Sequence, residues 1–142
     1  MEWILSREDK VFVCAHNEHV AKWGSYDSMG KLLSLKEENG YYVIGTYFYK
    51  SRCNLPFMGK RIVRTFYSHD PLTKSLKMSG KNVGVIDTSE LEVDYIYVGT
   101  LGESYSFMNK LIPQSYRMFQ PPKTMYDAMV LFVNVNPTDI IE

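Results

Sequence analysis

The strongest constraint on the fold is a series of short β-branched and aromatic runs separated by residues that favour turns. Such side chains pack well on a pleated sheet, and each run has the length of an ordinary strand. The sequence therefore predicts a β-rich protein, and its 142 residues predict a single globular domain over residues 1–142. The predicted runs are Val11–Ala15, Arg61–Tyr67, Val83–Asp87, Val93–Val98 and Val130–Val135.

A hairpin is predicted around Asn39-Gly40, which lies between two apolar stretches. A two-residue type I′ turn needs positive φ at both central positions, and Asn and Gly accept that conformation readily. In this register Leu35 pairs with Ile44. The alternative is a helix, because the preceding leucines and charged residues are good helix formers and Gly40 would then end it. We adopt the hairpin as the prediction.

Other local signals predict short helices and a loop. Asp70-Pro71 is a cap followed by proline at the first helical position, and this helix runs to Met78. Further helices are predicted over Ser104–Ile112 and from Thr124 into the last strand, and Ser51–Gly59 is predicted to be a loop. The predicted fold class is α+β, mainly an antiparallel β meander or a partly open barrel of five to six strands with two or three short helices.

The charges are segregated, although their formal total is zero. Eight basic residues and one acid lie between Asn39 and Ile86, whereas Asp87–Glu103 holds five acids and no base. Basic groups interleaved with aromatic rings suit a ligand that carries phosphates and stackable bases. The alternative is that the acidic segment folds back and neutralises the basic one. The predicted ligand contacts are Tyr47, Tyr49, Arg52, Lys60, Arg61, Arg64 and Tyr67.

Three histidines are the candidate catalytic residues: His16, His19 and His69. A histidine near a basic region can act as a general base in phosphodiester chemistry. Cys14 lies close to the first two histidines, but their spacing matches no paired zinc motif, so no metal and no cofactor are predicted. Ser68 completes the residue types of a hydrolase triad with His69 and its neighbour, yet adjacent residues cannot form the required relay.

The sequence favours a binding module over an enzyme, with a nucleotide, a nucleic acid or an acidic protein as its partner. The alternatives are a small histidine-dependent phosphodiesterase or nuclease-like hydrolase, and a structural or inhibitory protein that docks on another protein or on its own copy. The sequence contains no phosphate-binding loop, dinucleotide fingerprint or nucleophile elbow. The start of the sequence lacks a signal peptide pattern, and no apolar run is long enough for a membrane anchor, so a cytoplasmic location is expected.

Overall fold

The computed structural model describes residue 7 and residues 10–37, 40–68, 70–99 and 117–137. The helices among these residues are α1 (Asn17–Val20), α2 (Met29–Glu37), α3 (Pro71–Met78) and α4 (Pro122–Met125). The strands are β1 (Ile44–Phe57), β2 (Lys60–Tyr67), β3 (Val83–Asp87), β4 (Ile96–Gly99), β5 (Arg117–Gln120) and β6 (Ala128–Val135). A 3₁₀ turn at Thr88–Glu90 follows β3. The predicted α+β class is confirmed.

The described strands form a mixed four-stranded sheet and a separate two-stranded sheet. The larger sheet has the order β2-β1-β6-β3, and the smaller one pairs β4 with β5. Strands β1 and β6 are parallel, whereas the other pairs of described strands are antiparallel. Within the described ranges the strands do not close into a barrel, and the parallel pair makes the sheet mixed rather than a simple meander.

Three of the strands predicted from β-branched and aromatic runs are present in the structure. β2 and β3 confirm the runs predicted over Arg61–Tyr67 and Val83–Asp87, and β6 contains the run predicted at Val130–Val135. β4 begins later than the predicted Val93–Val98 strand. The predicted helix over Ser104–Ile112 lies outside the described residues.

The hairpin predicted at Asn39-Gly40 is wrong, because the chain before it forms helix α2. The helix-forming side chains of this stretch outweigh the turn signal. The backbone N–H of Gly40 donates to the carbonyl oxygen of Glu37 at 2.5 Å, close to the helix end. Gly40 therefore lies where the alternative interpretation placed it, just beyond a helix. Asn39 itself is outside the described residues.

The two-residue turn lies instead between β1 and β2. Met58 and Gly59 have φ values of 47° and 73°, as a type I′ turn requires, and Phe57 pairs with Lys60. The loop predicted at Ser51–Gly59 is therefore wrong, since β1 continues through most of it. Pro56 is compatible with this stretch of β1 because β2 is the only described strand that pairs with it there. A proline without a backbone N–H is tolerated in such an edge position.

The strand predicted at Val11–Ala15 is also wrong. The segment forms no strand pairing with the described residues, and the side chain of Phe12 is 89% exposed. Its residue types suit a strand, but a strand needs a partner that satisfies its backbone groups. Composition alone did not reveal whether that partner was available.

The apolar core lies against one face of the larger sheet. The side chains of Tyr47, Met129 and Leu131 are buried there, and helix α3 packs on β1 and β6 from the same side. Leu76 of α3 approaches Gly84 so closely that a Cβ at that position would lie 2.9 Å from Leu76 Cδ1. The remaining buried members of the core are Val20, Ala21, Val43, Leu91, Ile96, Met125 and Tyr126. Among the described helices, none is long and apolar enough to cross a membrane.

Helix α3 begins at a buried cap. Asp70 is fully buried, and its carboxylate accepts hydrogen bonds from the backbone N–H of Thr73 at 2.8 Å and from the Thr73 hydroxyl. We expect Asp70→Ala to lower the free energy of unfolding by about 2 kcal/mol, because both donors lose their acceptor. Asp70→Asn should retain most of the stability, since it keeps one acceptor oxygen. Urea unfolding of both variants checks this, and equal losses would contradict a capping role.

Candidate functional site

Two exposed histidines lie at the ends of the single-turn helix α1. His16 occupies the N-cap position and His19 lies in the last turn. Their ring centroids are 6.3 Å apart and their planes are inclined by 65°. The hydroxyl of Tyr26 lies 3.5 Å from His19 Nδ1. Two of the three predicted histidines are therefore neighbours in space, and the third, His69, is outside the described residues.

Asn17 attaches this helix to strand β1. Its Nδ2 donates to the carbonyl oxygen of Thr46 at 2.7 Å, and its Oδ1 accepts from the Thr46 backbone N–H at 3.1 Å. The Thr46 hydroxyl adds a third contact with Asn17 Oδ1 at 3.2 Å. β6 pairs with one side of β1 at Thr46. On the other side β2 pairs with β1 only from Lys50 onward, so that edge of β1 has no described strand beside Thr46. The asparagine amide occupies the place of a strand partner there and holds the histidines at an open edge.

The chain that leaves α1 is tied to the core by Tyr41. Its hydroxyl donates to the carbonyl oxygen of Val20 at 2.6 Å. Burial raises the pKa of Tyr41, and the negative charge of Asp127 raises it further. The phenol therefore remains protonated and keeps its role as a donor at neutral pH.

Asp127 makes a second connection between this segment and the sheet. Its Oδ1 forms an ion pair with Lys22 Nζ at 2.6 Å, and its Oδ2 accepts from the backbone N–H of Val43 at 2.6 Å. The backbone N–H of Lys22 also donates to the carbonyl oxygen of Met125 at 3.0 Å. Neither the sequence motifs nor the charge pattern indicated these contacts of Asp127, because Lys22 and Val43 lie far from it along the chain.

A groove of about 810 Å³ runs beside the open edge of β1. One wall is the segment 10–15, and the other includes residues 41–44 together with Thr46. Asn17 and Val20 of α1 also line it, so the helix that carries both histidines borders the groove. The size is typical of a small-molecule site, and most of the lining residues are apolar.

Tyr47, one of the predicted ligand contacts, belongs to the core. Only 4% of it is exposed, its hydroxyl donates to Gln120 Oε1, and that hydroxyl lies 3.3 Å from the Tyr126 hydroxyl. Burial, followed by the neighbouring Tyr126, raises the pKa of Tyr47, and burial raises the pKa of Tyr126 to about 12. The ring of Tyr47 is therefore unavailable for stacking on an external base.

The predicted basic contacts lie on a two-stranded ribbon formed by residues 52–65. Beyond Ser51 the only described partner of β1 is β2. The ribbon contains four basic residues and no acidic one, and the basic residues are exposed. Among the described residues, no ion pair joins the ribbon to the acidic segment that starts at Asp87. The basic members of the ribbon are Arg52, Lys60, Arg61 and Arg64.

Two predicted tyrosines lie at the base of this ribbon. The rings of Tyr49 and Tyr67 are 5.7 Å apart in an edge-to-face arrangement. Lys77 Nζ lies 4.2 Å above the centre of the Tyr49 ring and donates to its hydroxyl at 3.1 Å. These tyrosines therefore already pack against each other and against a cation.

The fold is shared with two proteins of known structure. A crystal structure of a protein from Bacillus cereus matches with a TM-score of 0.66 and 19% identity, over 89% of this chain and 34% of that chain. A crystal structure of a succinoglycan biosynthesis protein matches with a TM-score of 0.62 and 14% identity, over 86% of this chain and 32% of that chain. This chain therefore spans about one third of the length of either protein. No curated protein matches it significantly.

The arrangement therefore consists of an exposed histidine pair on α1 and an adjacent groove that Asn17 and Val20 of the same helix line. A family model for erythromycin esterase matches residues 1–135. The chain belongs to the erythromycin esterase family. Within the described residues, no group of three or more His, Cys, Asp or Glu side chains is arranged to hold a metal ion.

Proposed function

We propose that this chain supplies the histidine pair of an ester-hydrolysing site. The observation that carries the proposal is the position of His16 and His19, which are exposed at the two ends of α1, the helix whose Asn17 and Val20 line a groove of about 810 Å³. The name of the family indicates the substrate class, a carboxylic ester such as the one in erythromycin. The hydrolase alternative from the sequence is thus retained, with a carboxylic ester in place of a phosphodiester.

Imidazole is suited to this chemistry because it exchanges a proton near neutral pH. One imidazole takes a proton from a water molecule, whose oxygen attacks the carbonyl carbon of the ester. The tetrahedral intermediate then expels the alcohol oxygen, which takes the proton back from the imidazolium, and a carboxylic acid and an alcohol result. The second imidazole stabilises the developing negative charge by a hydrogen bond.

The proposal assigns only part of a site to this chain. The chain spans about one third of the solved proteins with the same fold. We therefore assign the histidine pair here and assign the remaining groups that bind the ester to the rest of the family fold. Esterase assays should use the protein as isolated from its source cells, with erythromycin and p-nitrophenyl butyrate as substrates. Hydrolysis that depends on His16 or His19 is the expected result.

The basic ribbon supports a second candidate function, capture of a nucleic acid or of an acidic protein. None of its four basic residues forms an ion pair with another described residue, so they are positioned for anionic groups of a partner. Tyr49 and Tyr67 at its base would provide the neighbouring aromatic surface.

Reversing the charge of the ribbon tests this second function. We expect Lys60→Glu/Arg61→Glu/Arg64→Glu to weaken binding of a labelled single-stranded DNA or of polyglutamate by about tenfold or more, measured by fluorescence anisotropy at low salt. The control is Lys10→Glu/Lys74→Glu/Lys81→Glu, which changes the net charge equally but leaves the ribbon intact. Equal losses in both variants would indicate only a response to total charge, and would reject a specific role of the ribbon.

A further inference from the structure

The two faces of the larger sheet are covered differently. Gly84 lies on the face that is packed by helix α3, as its close approach to Leu76 requires. Its neighbours in β3, Val83 and Val85, point to the opposite face, where they are 52% and 71% exposed. We call this opposite side the open face.

Apolar side chains continue across the open face on three strands. Val85 pairs with Val130 of β6, and Val83 pairs with Phe132 of β6. Ile44 of β1 lies on the same side and is 47% exposed. The open face is therefore defined by Ile44, Val83, Val85, Val130 and Phe132.

The sequence of β6 is that of a strand covered on both sides. It is Ala-Met-Val-Leu-Phe-Val over its first six residues, without the alternation of apolar and polar residues that a half-exposed strand shows. β6 is also paired in parallel with β1, and the strands of parallel sheets are usually buried on both faces. The described helices provide that cover on the side of α3. No described helix covers the open face, although the sequence of β6 indicates that it is covered.

The open face is continuous with the groove that borders the histidine pair. Ile44 belongs to both surfaces, and Thr46, which Asn17 contacts, also lines the groove. Across the groove Phe12 is 89% exposed. A partner seated on the open face would therefore extend over exposed apolar side chains toward α1.

The comparison of lengths indicates what this partner is. About two thirds of each solved protein with this fold lies outside the part that this chain matches. We infer that the open face is an interface for that remaining portion of the family fold, which covers β3, β6 and β1 with apolar helices. The interface does not depend on the proposed esterase activity, because it rests on sheet cover and not on the histidines.

Site-specific photo-cross-linking in the source cells tests this interface. A benzoylphenylalanine at position 85 is expected to form a cross-link whose peptide belongs to an erythromycin esterase family sequence, from the region that this chain does not match. The matched control is the same probe at Lys74, an exposed residue of α3 on the covered side. The yield at position 85 should exceed the control several-fold, and a probe at Val83 repeats the measurement if position 85 disturbs the fold.

Three outcomes would overturn the inference. These are a cross-link to a second copy of this chain, a cross-link to an unrelated protein, and a yield at both probe positions no higher than at Lys74. The substitution Val85→Lys, combined with the probe at Ile44, should abolish the cross-link, because a charge is then buried without a partner. The result is independent of ester hydrolysis, so an inactive protein that still forms the cross-link supports the interface and rejects only the proposed function.

Discussion

Replacing Gly30 by alanine is expected to lower the free energy of unfolding by about 3 kcal/mol or more. A Cβ at this position would lie 2.1 Å from the carbonyl oxygen of Val20 and 2.6 Å from that of Ala21. Both obstructing atoms belong to the backbone, so rotation of a side chain cannot relieve the overlap. Helix α2 would have to move away from the end of α1, the helix that carries the histidine pair.

Urea unfolding and histidine NMR signals measure the two consequences of Gly30→Ala. The matched control is Gly24→Ala, because the nearest atom to a Cβ there is the carbonyl oxygen of Tyr26 at 3.9 Å. The control should change stability by no more than about 0.5 kcal/mol and should leave the histidine signals unchanged. A Gly30→Ala protein as stable as the control would show that α2 does not pack against α1 as described.

Replacing either histidine of the pair by glutamine is expected to reduce ester hydrolysis strongly. Glutamine is polar and similar in size, but it does not exchange a proton near neutral pH. Loss of a general base lowers kcat by about 10²- to 10⁴-fold. If His16 and His19 act in the same step, the double variant should be little slower than the slower single variant. Because both side chains are exposed, stability should change by no more than about 0.5 kcal/mol.

The measurement is kcat and KM for p-nitrophenyl butyrate and for erythromycin, with protein isolated from the source cells. Lys74→Gln is the matched control, since it introduces the same residue at an exposed position of α3 and should retain full activity. Full kcat in both His16→Gln and His19→Gln would reject the proposed function. Activity that is lost together with stability would instead assign the histidines a structural role. His69 remains a predicted candidate, and His69→Gln tests it in the same assay.

The elements that were predicted well depend on signals between near neighbours. Asp70 caps a helix whose first contact is with Thr73, three residues away. β2, β3 and β6 are recognisable from their own side chains, because β-branched and aromatic residues suit any pleated surface. The site was predicted in part on the same basis, since His16 and His19 are close in sequence and were named as candidates.

The errors arose where contacts between distant parts of the chain decided the outcome. The stretch before Gly40 became a helix, and Gly30 of that helix packs directly on Val20 and Ala21. The turn signal at Asn39-Gly40 was local and carried no information about that packing. Val11–Ala15 has the residue types of a strand, yet no described strand pairs with it.

Local patterns in the sequence were enough to indicate which segments favour strands, where helix α3 begins, and that two histidines lie a few residues apart. These properties follow from backbone preferences and side chains a few residues apart. Three features became visible only in the folded protein: β1 and β6 are parallel, Asn17 binds Thr46 across 29 residues, and Asp127 binds Val43 across 84 residues. The physical reason is that these hydrogen bonds join segments that become neighbours only when the sheet and the core have formed, so no local pattern records them.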